Sequence, residues 1–484
     1  MSVSKLFFKF LSIFILLFHL QFAIYADSYH NLNVFIGERA SGLGGAFTAI
    51  SDDPSGTYYN PAGLAFAYEN YVSISANTYK RTSKTYENVF GPGQSYTRNS
   101  NTFSPNFFGS IKAIDKLKVA LSIVSPNNES FDQSNEIFMP LSLPNLSRYR
   151  IDYSEENSSY LVGPSVAYPF TTRFSLGATL YYMYDTAKIS STQFVEGYNK
   201  SFSNISVRDR RRTTGFVPII GTQYMVTDKW SLGMSMKFTK VTGKERSVVG
   251  QTSSSASTTV DNTSISNVTD TMGGQWQGGL VFVKPGESGG IPETTDIRLG
   301  SAHFISQNLI VAYDMIYTTG YSKKQDRTQI EITQPYIFLT ENENHDLERK
   351  ATLNYSFGIE YFLIDTIAFR LGYYTNKSNH KKIDWLRAAA QMYAAENKAN
   401  AAVISYNSPQ VFYLPYNLNP PSRFEHTDNR GLTLGLTWAS AKSSITFTYV
   451  LERGQGGSQI NTSQLPGVLK YYSSSFYLVA STRQ

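Results

Sequence analysis

The 484-residue chain contains no cysteine, which excludes disulfides and thiolate metal sites. For the same reason no lipid anchor on an N-terminal cysteine is expected. Only six histidines occur, scattered along the chain, and none stands in an HExxH-type spacing. Past residue 26 no apolar run approaches the ~18 residues of a membrane helix. Charge is sparse and nearly balanced, with 43 Lys and Arg against 37 Asp and Glu. Removing Lys5 and Lys9 with the leader lowers the net charge from +6 to +4, too little to imply nucleic-acid binding. Nothing in this inventory calls for a metal or another cofactor.

What is present is aromatic: 34 Tyr and 31 Phe, among many Ser, Thr and Gly. The N-terminus joins Lys5 and Lys9 to the apolar run Leu11 to Ala26, with small residues at Ala23 and Ala26. That is a secretory signal over residues 1–26, with cleavage expected after Ala26. An exported, aromatic-rich chain without an apolar helix suits a transmembrane β-barrel, and the competing composition is a secreted β-sandwich or propeller.

Period-two alternation favours the barrel. Trp230, Leu232, Met234, Met236 and Phe238 alternate with Ser231, Gly233, Ser235 and Lys237. The same rhythm recurs at Tyr355–Tyr361 and at Leu432–Trp438. One face is large and apolar and the other small and wet, as for lipid outside and a lumen inside. Fourteen such segments fall near 68–81, 103–114, 116–126, 148–170, 173–190, 208–226, 229–245, 293–305, 308–322, 353–363, 366–376, 428–440, 443–453 and 471–482. Even-to-odd joins are one or two residues, from Asp115 to "AK" at 441–442, whereas odd-to-even joins are long. Short periplasmic turns alternating with long external loops mark an outer-membrane barrel, and a sandwich has no reason to alternate so.

Three long connections have character. Residues 252–271 are dominated by Ser and Thr and read as a solvated loop. Residues 383–399 place Trp385, Ala389, Met392, Tyr393 and Glu396 at helical spacing, so a short helix is expected. The loop 127–147 carries "IFMPLSLPNL", an apolar run too broken by proline to be a strand. Its Phe138, Met139, Leu141 and Leu143 either pack into the barrel mouth or meet an apolar ligand, and the two are compatible.

Ahead of the first strand stands "GLGGAFTAISDDPSGTYYNPAGLAF", residues 42–66. No Lys follows its glycines in a GxxxxGK[ST] pattern, so a phosphate cradle is not supported. Its small residues suit a compact plug threaded among lumen side chains. Pro61 forces Asn60 extended, Gly63 permits a sharp turn, and Asp52, Asp53 and Ser55 are placed to cap turns and bond the lumen wall. Here the sequence resembles the N-terminal hatch of the FadL/TodX family of outer-membrane transporters. The family's "GxGGA", "DD" and "NPAG" stand at Gly42, Gly44 and Gly45 to Ala46, at Asp52–Asp53, and at Asn60, Pro61, Ala62 and Gly63. The barrel shares the family's layout, with echoes at Phe369–Tyr374 and Thr427–Trp438.

The resemblance implies a 14-stranded antiparallel transmembrane β-barrel of the bacterial outer membrane, plugged by a small N-terminal hatch. Residues 27–66 are the hatch and 67–484 the barrel, expected as a monomer among outer-membrane lipid and lipopolysaccharide. It also implies passive uptake of a hydrophobic small molecule, a fatty acid or aromatic hydrocarbon. The ligand enters an external groove, shifts inward past the hatch and leaves sideways through a kinked strand. Proline in a strand removes a ladder donor. Pro105, Pro126, Pro164 and Pro218 qualify; each is either a local bulge or part of the opening, and Pro126 and Pro164 are the favoured gate. Alternation points Arg298, Arg370, Asp314 and Glu360 into the lumen, either as ion pairs bracing hatch to wall or with one Arg holding a carboxylate. "VRDRRR" at 207–212 lies near the outer rim, where lipopolysaccharide phosphates are a better partner than substrate. No Ser-His pairing suggests an enzyme. The alternative is a structural, assembly-partner or adhesive barrel that transports nothing.

Overall fold

The computed structural model describes residues 30–483 apart from 90, 141–145, 198–201, 256–275, 278–280, 284–290, 324–327, 333–341, 344–346, 381–423 and 460–466. The signal segment, Leu141, Leu143, the expected helix at 383–399 and the Ser/Thr run beyond residue 255 lie outside the described residues.

Fourteen strands close into a ring. They are β1 Asn70–Tyr86, β2 Tyr96–Ile114, β3 Leu117–Phe138, β4 Leu146–Pro169, β5 Phe174–Gly197, β6 Phe202–Thr227 and β7 Trp230–Phe238. There follow β8 Thr295–Ser306, β9 Leu309–Thr318, β10 Thr352–Ile364, β11 Ile367–Asn376, β12 Asn429–Ala439, β13 Ser443–Gln459 and β14 Gly467–Arg483. Every neighbour is antiparallel, and β14 returns to β1 with Tyr71 opposite Arg483 and Tyr86 opposite Leu469. Closure pairs the two edges that an open sheet would leave to the bilayer, apart from one gap between β2 and β3 beyond Phe107 and Val124.

The alternation read from sequence is the inside–outside code. Leu434, Leu436 and Trp438 of β12 are exposed on the outer face, Trp438 by 70%, while Thr433 and Thr437 are buried in the lumen. Tight turns at 115–116, 307–308 and 365–366 define one end, with Asp115 at φ 54 in the left-handed region that Asp tolerates. Short turns mark the periplasmic end, so residue 70 and the C-terminus lie there.

The apolar run at 137–146 corrects the sequence reading. β3 does not end near Pro126 but continues to Phe138, and β4 begins at Leu146, so Ile137 and Phe138 are strand residues rather than loop. Pro140 lies past the end of β3 and so does not interrupt its ladder, and Pro144 lies outside the described residues. β4, β5 and β6 are 24, 24 and 26 residues long, against the ~9–11 needed to cross a membrane. β7 continues after Thr239 as Lys240–Ser255, paired with the upper half of β6. One side of the barrel therefore stands well above the bilayer as a twisted sheet.

Candidate functional site: the filled lumen and the wall beside it

Residues 34–66 lie inside the ring, almost all buried. They form two short helices, α1 Glu38–Gly42 and α2 Gly56–Tyr59, then a 3₁₀ turn Pro61–Phe66. Asn60 sits extended at φ −156 and caps that turn, its Oδ1 accepting from Ala62 N at 3.1 Å. Its Nδ2 donates to Thr48 O at 2.8 Å within the segment and to Thr222 O of β6 at 3.0 Å. Ser175 Oγ of β5 donates to Ala62 O at 2.9 Å. The Asn60–Gly63 knot thus packs on β5 and β6.

Glycines make this fit possible from both sides. A Cβ on Gly177 would lie 2.3 Å from Pro61 C, one on Gly221 2.0 Å from Asn60 Oδ1, and one on Gly372 2.3 Å from Gly44 N. Gly44 and Gly45 adopt φ of 63 and 84, which only glycine takes freely. Gly63 has no such conformation; a side chain there would strike Ser51, 2.5 Å away, so its role is close approach rather than the sharp turn expected.

Charge ties segment to wall. Arg39 bonds Asp52 at 2.6 Å and Glu360 of β10 at 2.6 Å, and Glu360 also accepts from Arg370 Nε of β11 at 2.7 Å. Arg370 reaches Glu38 at 3.7 Å, and Ser444 and Ser481 donate to Glu38. Asp314 of β9 accepts from Phe47 N, Thr48 N and Thr48 Oγ1. Asp53 turns inward on its own segment, accepting from Ser55 N at 2.7 Å, and burial raises its carboxyl from the usual range to about 6. Neither Asp52 nor Asp53 bonds the wall among the contacts described.

The two arginines singled out from sequence separate here. Arg370 is consumed by carboxylates. Arg298 is buried with its guanidinium 5.2 Å from the Tyr59 ring centre, and its Nη1 has no hydrogen-bond partner. Of these two arginines, only Arg298 has a buried guanidinium nitrogen without a hydrogen-bond partner.

The wall is interrupted beside this segment. The β2–β3 ladder runs from Ile114 opposite Leu117 up to Phe107 opposite Val124 and stops there. β3 bulges against β4 at Ser125–Pro126, where Val124 faces Leu161 and Asn127 faces Ser159. β2 bulges against β1 at Asn106, between Ser75 opposite Phe107 and Ala76 opposite Pro105. Farther out, β2 and β3 touch through side chains, as where Gln133 Nε2 donates to Thr97 O at 2.8 Å. The lumen rim of the break is polar. Asn106 Nδ2 donates to Phe35 O at 2.6 Å and Lys80 pairs Glu129 at 3.1 Å, while Asn106 Oδ1, Ser125 Oγ and Asn127 Oδ1 have no partner. Pro126 therefore stands at the break. Pro164 stands elsewhere: it faces outward on β4 opposite Leu121 of β3, and on its other side the β4–β5 pairing skips from Val162 opposite Tyr182 to Ser165 opposite Thr179.

Above the segment, Tyr86, Tyr96, Phe131, Tyr149, Ile151, Tyr153 and Leu469 pack together at the external mouth, with Ile137 against them. Phe138 and Met139 at the rim are each 61% exposed. Sequence reading missed Arg39, Glu38 and Asn106. The charged pair 38–39 inside a small-residue stretch was a usable signal, whereas Asn106 is recognisable only once the bulge is seen.

Chain and site define a membrane-spanning, 14-stranded outer-membrane barrel with an occupied lumen. The family model of the Protochlamydia outer membrane protein matches residues 93–283, from just before β2 through β7 and beyond. No curated protein is matched by sequence. The fold is shared with a Pseudomonas aeruginosa FadL homologue, at TM-score 0.56 and 13% identity over 95% of this chain and 99% of that one. The CymD monoaromatic hydrocarbon channel gives 0.54 at 13% over 94% and 98%. The P. putida toluene transporter TodX gives 0.53 at 14% over 92% and 97%.

Proposed function

We propose that the chain carries out passive uptake of hydrophobic small molecules across the outer membrane, with residues 27–66 as a movable hatch. The observation that carries this reading is the interrupted β2–β3 wall at the level of the filled lumen. The aromatic mouth beneath exposed Phe138 and Met139 supports capture from outside. A hydrocarbon gains roughly 0.8 kcal/mol per buried CH₂, so capture from water is favourable and release into lipid nearly neutral. Exit runs sideways past Ser125–Pro126, and the polar rim there favours an amphipathic ligand such as a long-chain fatty acid. Arg298, with its unpartnered Nη1, is the residue to receive a carboxylate once the Asn60 loop moves. The tight packing of residues 34–66 favours a second reading, a structural barrel that never opens.

The test is labelled oleate and toluene flux into vesicles holding wild type, Pro126→Val or Pro164→Val. Pro126→Val is expected to slow flux while tryptophan quenching still reports binding, and Pro164→Val to leave flux unchanged. Equal flux in all three removes the lateral exit, and absence of binding by wild type supports the structural barrel.

A further inference from the structure

The tall sheet carries a basic stripe that uptake does not use. On β4–β6 the outer apolar belt ends at Tyr160, which faces Tyr184, and at Phe216, whose ring centre lies 5.9 Å from that of Tyr182. Beyond this aromatic girdle the same outward face of β6 presents Arg212, Arg210 and Arg208. They lie opposite Thr186, Lys188 and Ser190 of β5, which are two, four and six residues past Tyr184. At ~3.3 Å per residue and a tilt of ~35–45°, the stripe spans about 5 to 15 Å above the girdle. Phosphates of an outer-leaflet lipid occupy that layer.

Arg212 pairs Glu245, and Lys188 pairs Glu156 at 2.7 Å, but both pairs are about half exposed and hold weakly. Arg210 and Arg208 have no ion-pair partner among the described residues. Across the β5 ladder they stand opposite Lys188 and Ser190, neither of them acidic. Guanidinium forks spaced ~6–7 Å apart along one strand, with an ammonium across the ladder, match a phosphate approached from the side.

The geometry points to a binding site for a phosphorylated glycolipid of the outer leaflet, lipid A, built by Arg208, Arg210, Arg212 and Lys188. The acyl chains lie on the girdle and the belt below, and the phosphate meets the stripe. The site depends on the membrane orientation and is independent of uptake.

The experiment is native mass spectrometry of the full chain in detergent with added lipid A. Variants are accepted only if they keep the heat-modifiable gel shift of a folded barrel. Wild type is expected to bind bis-phosphorylated lipid A at least tenfold more tightly than Lys188→Gln/Arg208→Gln/Arg210→Gln. Dephosphorylated lipid A should bind wild type as weakly as the variant binds the phosphorylated form. Should the triple variant fail to fold, Arg210→Gln alone should weaken binding about threefold. Equal binding by wild type and variant, or no loss on dephosphorylation, overturns the site. Inorganic phosphate displacing lipid A at equal concentration overturns it too, since the stripe then reads free anion. Hydrophobe flux in the same samples is expected to be unchanged, which separates failure here from failure of the uptake reading.

Discussion

Asn60→Ala is the perturbation whose cost can be worked most directly from the structure. Three hydrogen bonds disappear, to Thr48 O at 2.8 Å, to Thr222 O at 3.0 Å and from Ala62 N at 3.1 Å. The lost cap is worth ~1 kcal/mol and the stranded Thr48 carbonyl ~1–3, so about 2–4 together. At 1.4 kcal/mol per decade, release of the segment becomes roughly 30- to 700-fold more populated. Asn60→Asp sharpens the test. It keeps the acceptor for Ala62 N but turns a carboxylate oxygen toward two carbonyl oxygens, so at pH 7 it should loosen the segment more than alanine does. Protonation in acid restores one donor, so that variant alone should recover. The assay is single-channel conductance in planar bilayers, with hydrogen exchange of amides 34–66. Unchanged opening in Asn60→Ala, or Asn60→Asp quieter than alanine at pH 7, refutes the reasoning.

Three further outcomes follow from the same packing. Gly372→Val places a side chain where Gly44 N and Thr433 Oγ1 stand within 2.4 Å, and should raise conductance without unfolding the barrel on gels. Glu360→Gln strips Arg39 and Arg370 of their shared buried carboxylate, at a cost of about 3–5 kcal/mol, read as faster exchange at residues 36–50. Asp53, raised to about 6 by burial, favours the protonated form in the packed segment. The segment is therefore held best below about pH 4, loses hold as pH rises to about 6, and is level above that. Asp53→Asn should tighten it by about 2–3 kcal/mol at pH 7 and make no difference at pH 4, by exchange; tightening at pH 4 refutes this.

The ring was legible because lipid and lumen impose period two. Leu434 and Trp438 outside with Thr433 and Thr437 inside need no tertiary information to be read. Strand ends were not legible above the membrane. There the strands lose the apolar face, and residues 127–138 of β3, 191–197 of β5 and 202–207 of β6 look like loop although they are laddered. The wall glycines 233 and 358 were visible as the small partner in each alternation, but their reason, contact with Thr48 and Leu43, appears only when the segment is inside. Chain proximity alone would put the knot at 60–63 beside the first strand; its place on β5 and β6 is set instead by Gly177 and Gly221. Arg298 and Arg370 looked alike in sequence, and only the position of Glu360 and Glu38 distinguishes them.

The central claim, energy-independent passage of a hydrophobe through this barrel, is tested most directly by flux into sealed, energy-free vesicles. Labelled oleate and toluene are followed with wild type, with Ser125→Trp filling the break between β2 and β3, and with empty vesicles. Saturable entry above the empty-vesicle rate is expected with wild type, and a fall toward that rate in Ser125→Trp with ligand binding retained. Wild-type flux indistinguishable from empty vesicles contradicts it.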